Sequence, residues 1–190
     1  QRQMCIRDSQ YRADVGFVVK NNRQWGTFYH EYINILNKPG IQSFGFGTKI
    51  DMVYTFEKLY KNFSVDLFAS IKTYGQTELS YTLDYDARKT FLNIPFKNLP
   101  THTFSVNGSP SEAFNFRINV DRGKDLSFNE DIPEVGRLST SFMTMSFQLN
   151  NNFTVNPSLR YARLERLDDG EDYFNGTIAR MNLRYQFSNA

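Results

Sequence analysis

The sequence predicts an all-β fold, an up-and-down antiparallel meander of about ten strands. Apolar and polar residues alternate with a period of two along most of the chain, and this is the side-chain period of a β-strand. Turn-forming residues separate the alternating segments, as in Asn37-Lys38-Pro39-Gly40 and Asn150-Asn151-Asn152. No segment shows the 3.6-residue period of a helix.

Taken in order, the alternating segments predict strands at residues 11–19, 25–36, 41–56, 62–72, 77–86, 102–108, 113–121, 138–149, 153–161 and 177–187. The clearest is the third, in which one face carries Phe44, Phe46, Thr48, Ile50, Met52, Tyr54 and Phe56 and the other carries Ser43, Gly45, Gly47, Lys49, Asp51 and Thr55. In residues 25–36, Trp25, Tyr29, Ile33 and Ile35 share one parity, which Glu31 interrupts. Residues 87–101, which include two prolines, and residues 122–137 and 164–172 are predicted to be long connections.

Composition limits the classes of function. The chain has 190 residues, of which 16% are aromatic, and a mean hydropathy of -0.52. No apolar run approaches the roughly 18 residues of a transmembrane helix, but a membrane-spanning strand alternates and leaves mean hydropathy unremarkable. A net charge of +2 gives no argument for nucleic acid as a partner. A single cysteine, Cys5, excludes an internal disulfide framework and a cysteine-based zinc site.

Residues 1–10 are interpreted as a non-native or disordered leader. The stretch QRQMCIRDS is similar to translated sequencing-adapter sequence, and the alternative is a natural polar linker. The domain is therefore predicted to occupy residues 11–190, with any signal sequence lying upstream.

Four further features favour a transmembrane barrel over a soluble β-sandwich or solenoid. Short and long connections alternate, as the turns and loops of outer-membrane barrels do. The third strand has about sixteen residues, whereas strands in soluble proteins commonly have five or six. Charges of both signs lie on one parity and the other is almost free of charge, so the charged series is predicted to face the lumen: Lys49, Asp51, Asp66, Lys72, Glu78, Arg117, Arg160, Arg180 and Arg184. Aromatic residues also crowd the strand ends, as in an interfacial girdle: Trp25, Tyr54, Phe56, Phe63, Tyr85, Tyr161, Tyr173, Tyr185 and Phe187.

Three short motifs carry a family resemblance. They are Arg12-Ala13-Asp14-Val15-Gly16-Phe17, the stretch Phe91-Leu92-Asn93-Ile94-Pro95 leading into His102-Thr103-Phe104, and the closing pattern from Asp172-Tyr173-Phe174 to Leu183-Arg184-Tyr185-Gln186-Phe187-Ser188. With these motifs the chain resembles the uncharacterised C-terminal β-barrel of bacterial outer-membrane proteins that begin with a family 9 carbohydrate-binding-like domain.

The resemblance implies a domain in the outer membrane of a Gram-negative bacterium, in contact with lipid, that serves as a conduit or membrane anchor for a carbohydrate-binding module. Carbohydrate would bind through the N-terminal domain, so no sugar site carries over to these residues. The family's chains continue beyond the position of Ala190, which implies a fragment cut at both ends and an incomplete part of a larger barrel. The alternative function is a soluble carbohydrate-binding or adhesive β-sandwich module.

No residues are predicted to be catalytic or to bind a cofactor or metal. A barrel esterase needs Ser, His and an acid or amide together, and the sequence does not group such residues around His30 or His102. The acidic stretch Asp168-Asp169-Gly170-Glu171-Asp172 supplies oxygen ligands for calcium or forms a solvated turn. Arg160, Arg180 and Arg184 form either a cationic stripe for anionic solutes or an ion ladder with acids on the neighbouring strand. Gly45 and Gly47 are candidates for a close approach or a bend in the sheet.

Overall fold

The computed structural model describes residues 23–55, 61–128 and 133–187. These residues form nine strands: β1 (Arg23–Lys38), β2 (Ile41–Thr55), β3 (Lys61–Thr73), β4 (Thr77–Phe91), β5 (Ile94–Ser111), β6 (Phe114–Ser127), β7 (Glu134–Asn150), β8 (Phe153–Arg166) and β9 (Asp172–Tyr185). In these ranges there is no helix of the length and apolarity needed to cross a membrane.

The strands lie in one sheet in the order of the sequence, and each pairs antiparallel with the next. The sheet is an open meander, because its two edge strands, β1 and β9, do not pair with each other. The all-β, up-and-down prediction is therefore confirmed. The predicted strand at residues 11–19 and the predicted leader lie outside the described residues.

The prediction of a long connection over residues 87–101 is wrong. β4 continues to Phe91 and β5 starts at Ile94, with Leu92 and Asn93 alone in the turn at φ 48° and 64°. Positive φ at both residues is the geometry of a tight hairpin turn. The pairing of β5 with β6 starts at Thr101, so residues 94–100 of β5 pair with β4 alone. The other edge of this segment has no partner strand there, so prolines without a backbone N–H are tolerated in it.

The other two connections are also shorter than predicted. β6 continues to Ser127, β7 begins at Glu134 and β8 continues to Arg166. One end of the sheet carries the connections 39–40, 74–76, 112–113 and 151–152, and we name it the turn end. The opposite end, the loop end, carries 56–60, 92–93, 128–133 and 167–171. The difference in length between the two ends persists but is smaller than predicted.

The strand register separates two faces. Cross-strand partners share a face, and the pairs Phe46↔Ala69, Leu67↔Leu83 and Val106↔Ile118 belong to what we call the apolar face. The pairs Lys49↔Asp66, Lys72↔Glu78 and Asp121↔Thr140 belong to the polar face. In β1 the predicted parity of Trp25, Tyr29, Ile33 and Ile35 falls on the polar face, since these residues pair with Val53, Lys49, Gly45 and Ser43.

Contacts across an intervening strand indicate that the sheet curves towards its polar face. The rings of Tyr29 in β1 and Phe68 in β3 stack at 5.7 Å across β2, where Gly47 leaves room between them. Lys89 in β4 reaches Asp125 in β6 at 3.3 Å. On the apolar face, ring pairs such as Tyr81–Phe104 and Phe114–Phe147, both at 4.9 Å, join adjacent strands. Side chains converge on the concave side of a curved sheet and spread apart on the convex side.

Candidate functional surfaces: a charged concave face and an exposed apolar face

The nine residues predicted to face a lumen all lie on the polar face. Their cross-strand partners are themselves members of the set or polar-face neighbours, as in Lys49↔Asp66, Lys72↔Glu78 and Asn107↔Arg117. The arginines of β8 and β9 follow the same register, with Arg160, Arg180 and Arg184 opposite Phe142, Ser158 and Thr154. The alternation of the sequence therefore placed these residues on one surface.

A network of ion pairs covers the polar face of β2 to β4. Lys49 bridges Asp51 of its own strand and Asp66 of β3, the latter at 3.9 Å. Thr27 in β1 donates a hydrogen bond of 2.5 Å to Asp51. Lys72 faces Glu78 at 3.8 Å across the β3–β4 pair. Such pairs neutralise charges that lie on a concave surface.

The network continues across β4 to β7. Lys89 contacts Asp86 at 3.6 Å in addition to Asp125. Asp121 accepts hydrogen bonds from Thr103, at 2.8 Å, and from Thr140 on the opposite side. Acidic groups thus outnumber basic groups on this part of the face.

The arginine part of the polar face has a different chemistry. Arg160 lies over the ring of Phe142 at 5.4 Å, and Arg180 and Arg184 are opposite hydroxyl side chains rather than acids. Within the described residues, no acidic side chain lies opposite any of these three arginines, so they form no ion ladder with the strands next to them there. The polar face is acid-rich on β2–β6 and arginine-rich on β8–β9.

The apolar face is exposed to a degree unusual for a folded protein. Across the described residues Leu99 and Leu126 are the only buried large apolar side chains. On the central strands the exposed large side chains of this face include Phe46, Met52, Tyr54, Leu67, Ile71, Leu79, Phe104 and Leu159. In β2, Phe46 is 52% exposed while Gly45 is buried and the Asp51 side chain is 24% exposed. In β2 the polar series is therefore the less exposed one, the reverse of a soluble sheet.

Aromatic rings gather at the turn end of the apolar face. Phe114 stacks on Phe116 at 5.6 Å and on Phe147 at 4.9 Å. Tyr185 contacts Phe153 at 6.4 Å and Phe187 at 4.8 Å. The predicted girdle included Tyr185 and Phe187 but missed the phenylalanine cluster of Phe114, Phe116 and Phe147, although its period-two spacing was present in the sequence.

The loop end of the apolar face carries a group of cations that the sequence argument missed. We name it the basic belt; it consists of Arg88, Lys97, Arg122, Lys124, Arg137 and Arg163, which the register places on the apolar face. The expectation that this face is almost free of charge is therefore wrong at the loop end. The error follows from the loop predictions, because five of these six residues, all except Arg163, were assigned to connections and therefore to neither face of the sheet.

The two histidines lie on the apolar face. His30 is opposite Thr48, and His102 Nδ1 lies 2.8 Å from the Tyr81 hydroxyl. Within the described residues, neither ring is hydrogen-bonded to a serine. The hydroxyl of Ser139, near His102, accepts a hydrogen bond from Arg122.

The acidic connection between β8 and β9 closes on itself. Asp169 accepts hydrogen bonds from the Glu171 N–H, at 2.9 Å, and from Arg166, at 3.4 Å. The Glu171 N–H and then Arg166 hold the pKa of the Asp169 carboxyl below its usual range. Over the described part of the chain, no three His, Cys, Asp or Glu side chains are grouped to hold a metal ion.

Comparison with known proteins finds no matching family model, no matching curated protein and no matching solved structure.

Proposed function

We propose that the chain is part of an outer-membrane β-barrel of a Gram-negative bacterium, which serves as a conduit or a membrane anchor for a carbohydrate-binding module and performs no catalysis itself. The observation that carries the proposal is the nine-stranded sheet whose apolar face is exposed while its polar face is concave and ion-paired. In this proposal the apolar face contacts lipid, and the polar face lines the lumen.

Element length and chemistry support the proposal. The strands have 13 to 18 residues, which exceeds the roughly 9–11 residues needed to cross the hydrocarbon core. Hydrocarbon replaces the missing hydrophobic core as the phase that receives the large apolar side chains. Ion pairs such as Lys72–Glu78 then line an aqueous interior, where both charges stay hydrated.

The arginine-rich part of the polar face suggests what a conduit would favour. Arg160, Arg180 and Arg184 lie on adjacent strands and have no acidic partner in the described ranges. An aqueous passage past them would concentrate anionic solutes over cationic ones.

The competing function is a soluble carbohydrate-binding or adhesive β-sandwich. It requires a second layer of protein over the apolar face, because a monomeric soluble protein rarely exposes a contiguous apolar patch of more than a few hundred Å². In the described ranges the strands form one sheet, so the covering layer would have to come from elsewhere.

Detergent dependence tests the proposal. We expect the full-length protein to be monodisperse with a β-sheet circular dichroism spectrum in detergent or lipid, and to aggregate when the detergent is removed. A monodisperse, folded protein in detergent-free buffer would contradict a lipid-facing sheet and favour the sandwich. Covalent labelling by a serine-directed fluorophosphonate would contradict the absence of catalysis.

A further inference from the structure

The basic belt differs from the rest of the apolar face in both charge and shape. Between β5, β6 and β7 it contains a groove of about 380 Å³ lined by Pro100, His102, Arg122, Gly123, Lys124, Arg137, Leu138, Ser139 and Leu167. Three of these side chains, Arg122, Lys124 and Arg137, are basic. The groove lies at the loop end, where the apolar surface of the sheet stops.

The cations of the groove are arranged with little compensation. Lys124 and Arg137 lie directly opposite each other in the β6–β7 register, and like charges in this position repel each other. Arg137 has one acidic contact, Glu165 at 3.6 Å, and Glu165 also pairs with Arg163. Within the described ranges, Arg122 and Lys124 contact no carboxylate. Arg122 and Lys124 are exposed, and the Arg137 side chain is 66% exposed.

The position of these cations decides which anion fits them. They lie on the apolar face, which carries Phe104, Val106 and Ile118 nearer the turn end. A bound molecule therefore has to present an anionic group at the loop end and an apolar part along the sheet. A soluble anion satisfies the first condition alone. A lipid with a phosphate headgroup satisfies both.

We propose that the groove formed by Arg122, Lys124 and Arg137 binds the phosphate headgroup of an anionic lipid, whose acyl chains lie along the apolar face of β5–β7. The inference rests on the proposed membrane location of the sheet. Arg122 is pre-positioned by its hydrogen bond to Ser139, and a planar guanidinium matches phosphate geometry through two N–H donors. A phosphate between Lys124 and Arg137 also converts their repulsion into two attractive contacts.

A tryptophan placed in the groove reports on the neighbouring lipid. In the full-length protein, Trp25→Phe removes the native tryptophan of this chain and Leu167→Trp introduces one at the groove wall. The protein is inserted into vesicles of phosphatidylcholine with a fixed fraction of brominated phosphatidylglycerol or, separately, brominated phosphatidylcholine. The ratio of the two quenching efficiencies measures the preference of the groove for the anionic phosphatidylglycerol over the zwitterionic phosphatidylcholine.

The expected result is a several-fold preference for the brominated phosphatidylglycerol. In Arg122→Gln/Lys124→Gln/Arg137→Gln the two lipids should quench about equally, since a single basic residue near an anionic lipid surface contributes on the order of 1 kcal/mol, a factor of about five. The matched control, Arg117→Gln/Arg180→Gln/Arg184→Gln, removes the same charge from the polar face and should keep the preference. The single variant Lys124→Gln, at an exposed position, provides the same comparison if the triple variant folds poorly.

Three results would overturn the proposal. Equal preference in the triple variant and the reference protein would remove the groove as the site. Loss of the preference on addition of inorganic phosphate at constant ionic strength would identify a site for free anions rather than lipid. Failure of the reporter protein to enter phosphatidylcholine vesicles at all would contradict the membrane location itself, whereas insertion without a lipid preference would contradict only the lipid site.

Discussion

At the scale of single residues, neighbouring positions of one strand are expected in opposite environments in the proposed barrel. Ile50 lies on the apolar face and Asp51 on the polar face, where Thr27 and Lys49 contact it. A charge in hydrocarbon loses its hydration, whereas a charge in an aqueous lumen keeps it. The two positions therefore provide a matched pair.

Ile50→Arg should reduce the free energy of unfolding in a bilayer by roughly 2–4 kcal/mol if the position is near the midplane. Asp51→Arg should have a mild effect, although it loses the contact with Lys49. Urea unfolding in vesicles, followed by intrinsic fluorescence, measures both values. Similar losses in the two variants would remove the assignment of the faces.

Two glycines provide a second matched pair. A Cβ at Gly47 would overlap the carbonyl oxygen of His30 and the ring of Phe68, whereas a Cβ at Gly26 finds its nearest described neighbour, Met52 Cε, at 3.9 Å. Gly47→Ala should therefore cost about 1–3 kcal/mol of unfolding free energy, and Gly26→Ala should be neutral or stabilising by about 0.5–1 kcal/mol. The sequence predicted a close approach at Gly47. Equal changes in unfolding free energy for Gly47→Ala and Gly26→Ala would refute that prediction.

At the scale of elements, alternation predicted a strand that overlaps each of the nine described strands. It failed beyond about residue 86 in β4 and before residue 102 in β5, because Lys89, Pro95 and Lys97 break the pattern. These residues belong to strands because β4 and β5 pair with each other as far as Phe91↔Ile94. Such pairing between strands is not visible in the local pattern of the sequence. The basic belt was missed for the same reason, as a residue has a face only once its strand partner is known.

The turn between β4 and β5 holds a leucine in left-handed backbone conformation. Leu92 has φ 48° and a 53% exposed side chain, so it occupies left-handed backbone without compensating burial. Leu92→Gly should stabilise the hairpin by about 1 kcal/mol, and Leu92→Val should destabilise it because a branched Cβ fits this region worst. The midpoint of urea unfolding in detergent measures both changes. A Val variant as stable as the Gly variant would contradict the turn geometry.

At the scale of the whole molecule, the two ends of the sheet are expected on opposite sides of the membrane. The turn end is expected in the periplasm and the loop end at the cell surface. Single cysteines at Asn151 (turn end), Gly170 (loop end) and Asn93 (loop end) are placed in the full-length protein after Cys5→Ser. On intact cells an impermeant thiol reagent should label positions 170 and 93 but not 151.

The position at Asn93 separates sidedness from loop length, because its turn is as short as the one at Asn151. Labelling of all three positions, or of 151 alone, would contradict the orientation. Labelling of 170 without 93 would mean that exposure follows the length of the connection and not its end of the sheet.

The central claim, that the apolar face of this sheet contacts lipid and its polar face contacts water, is tested most directly within β2. A polarity-sensitive fluorophore is attached to single cysteines at Thr48, Lys49, Ile50 and Asp51 of the full-length protein lacking Cys5, inserted in vesicles. The account predicts a period of two: spin-labelled lipid quenches the probe at 48 and 50, and aqueous iodide quenches it at 49 and 51. A probe at 48 and 50 that neither quencher reaches would place protein over the apolar face, and equal quenching by iodide at all four positions would place both faces in water.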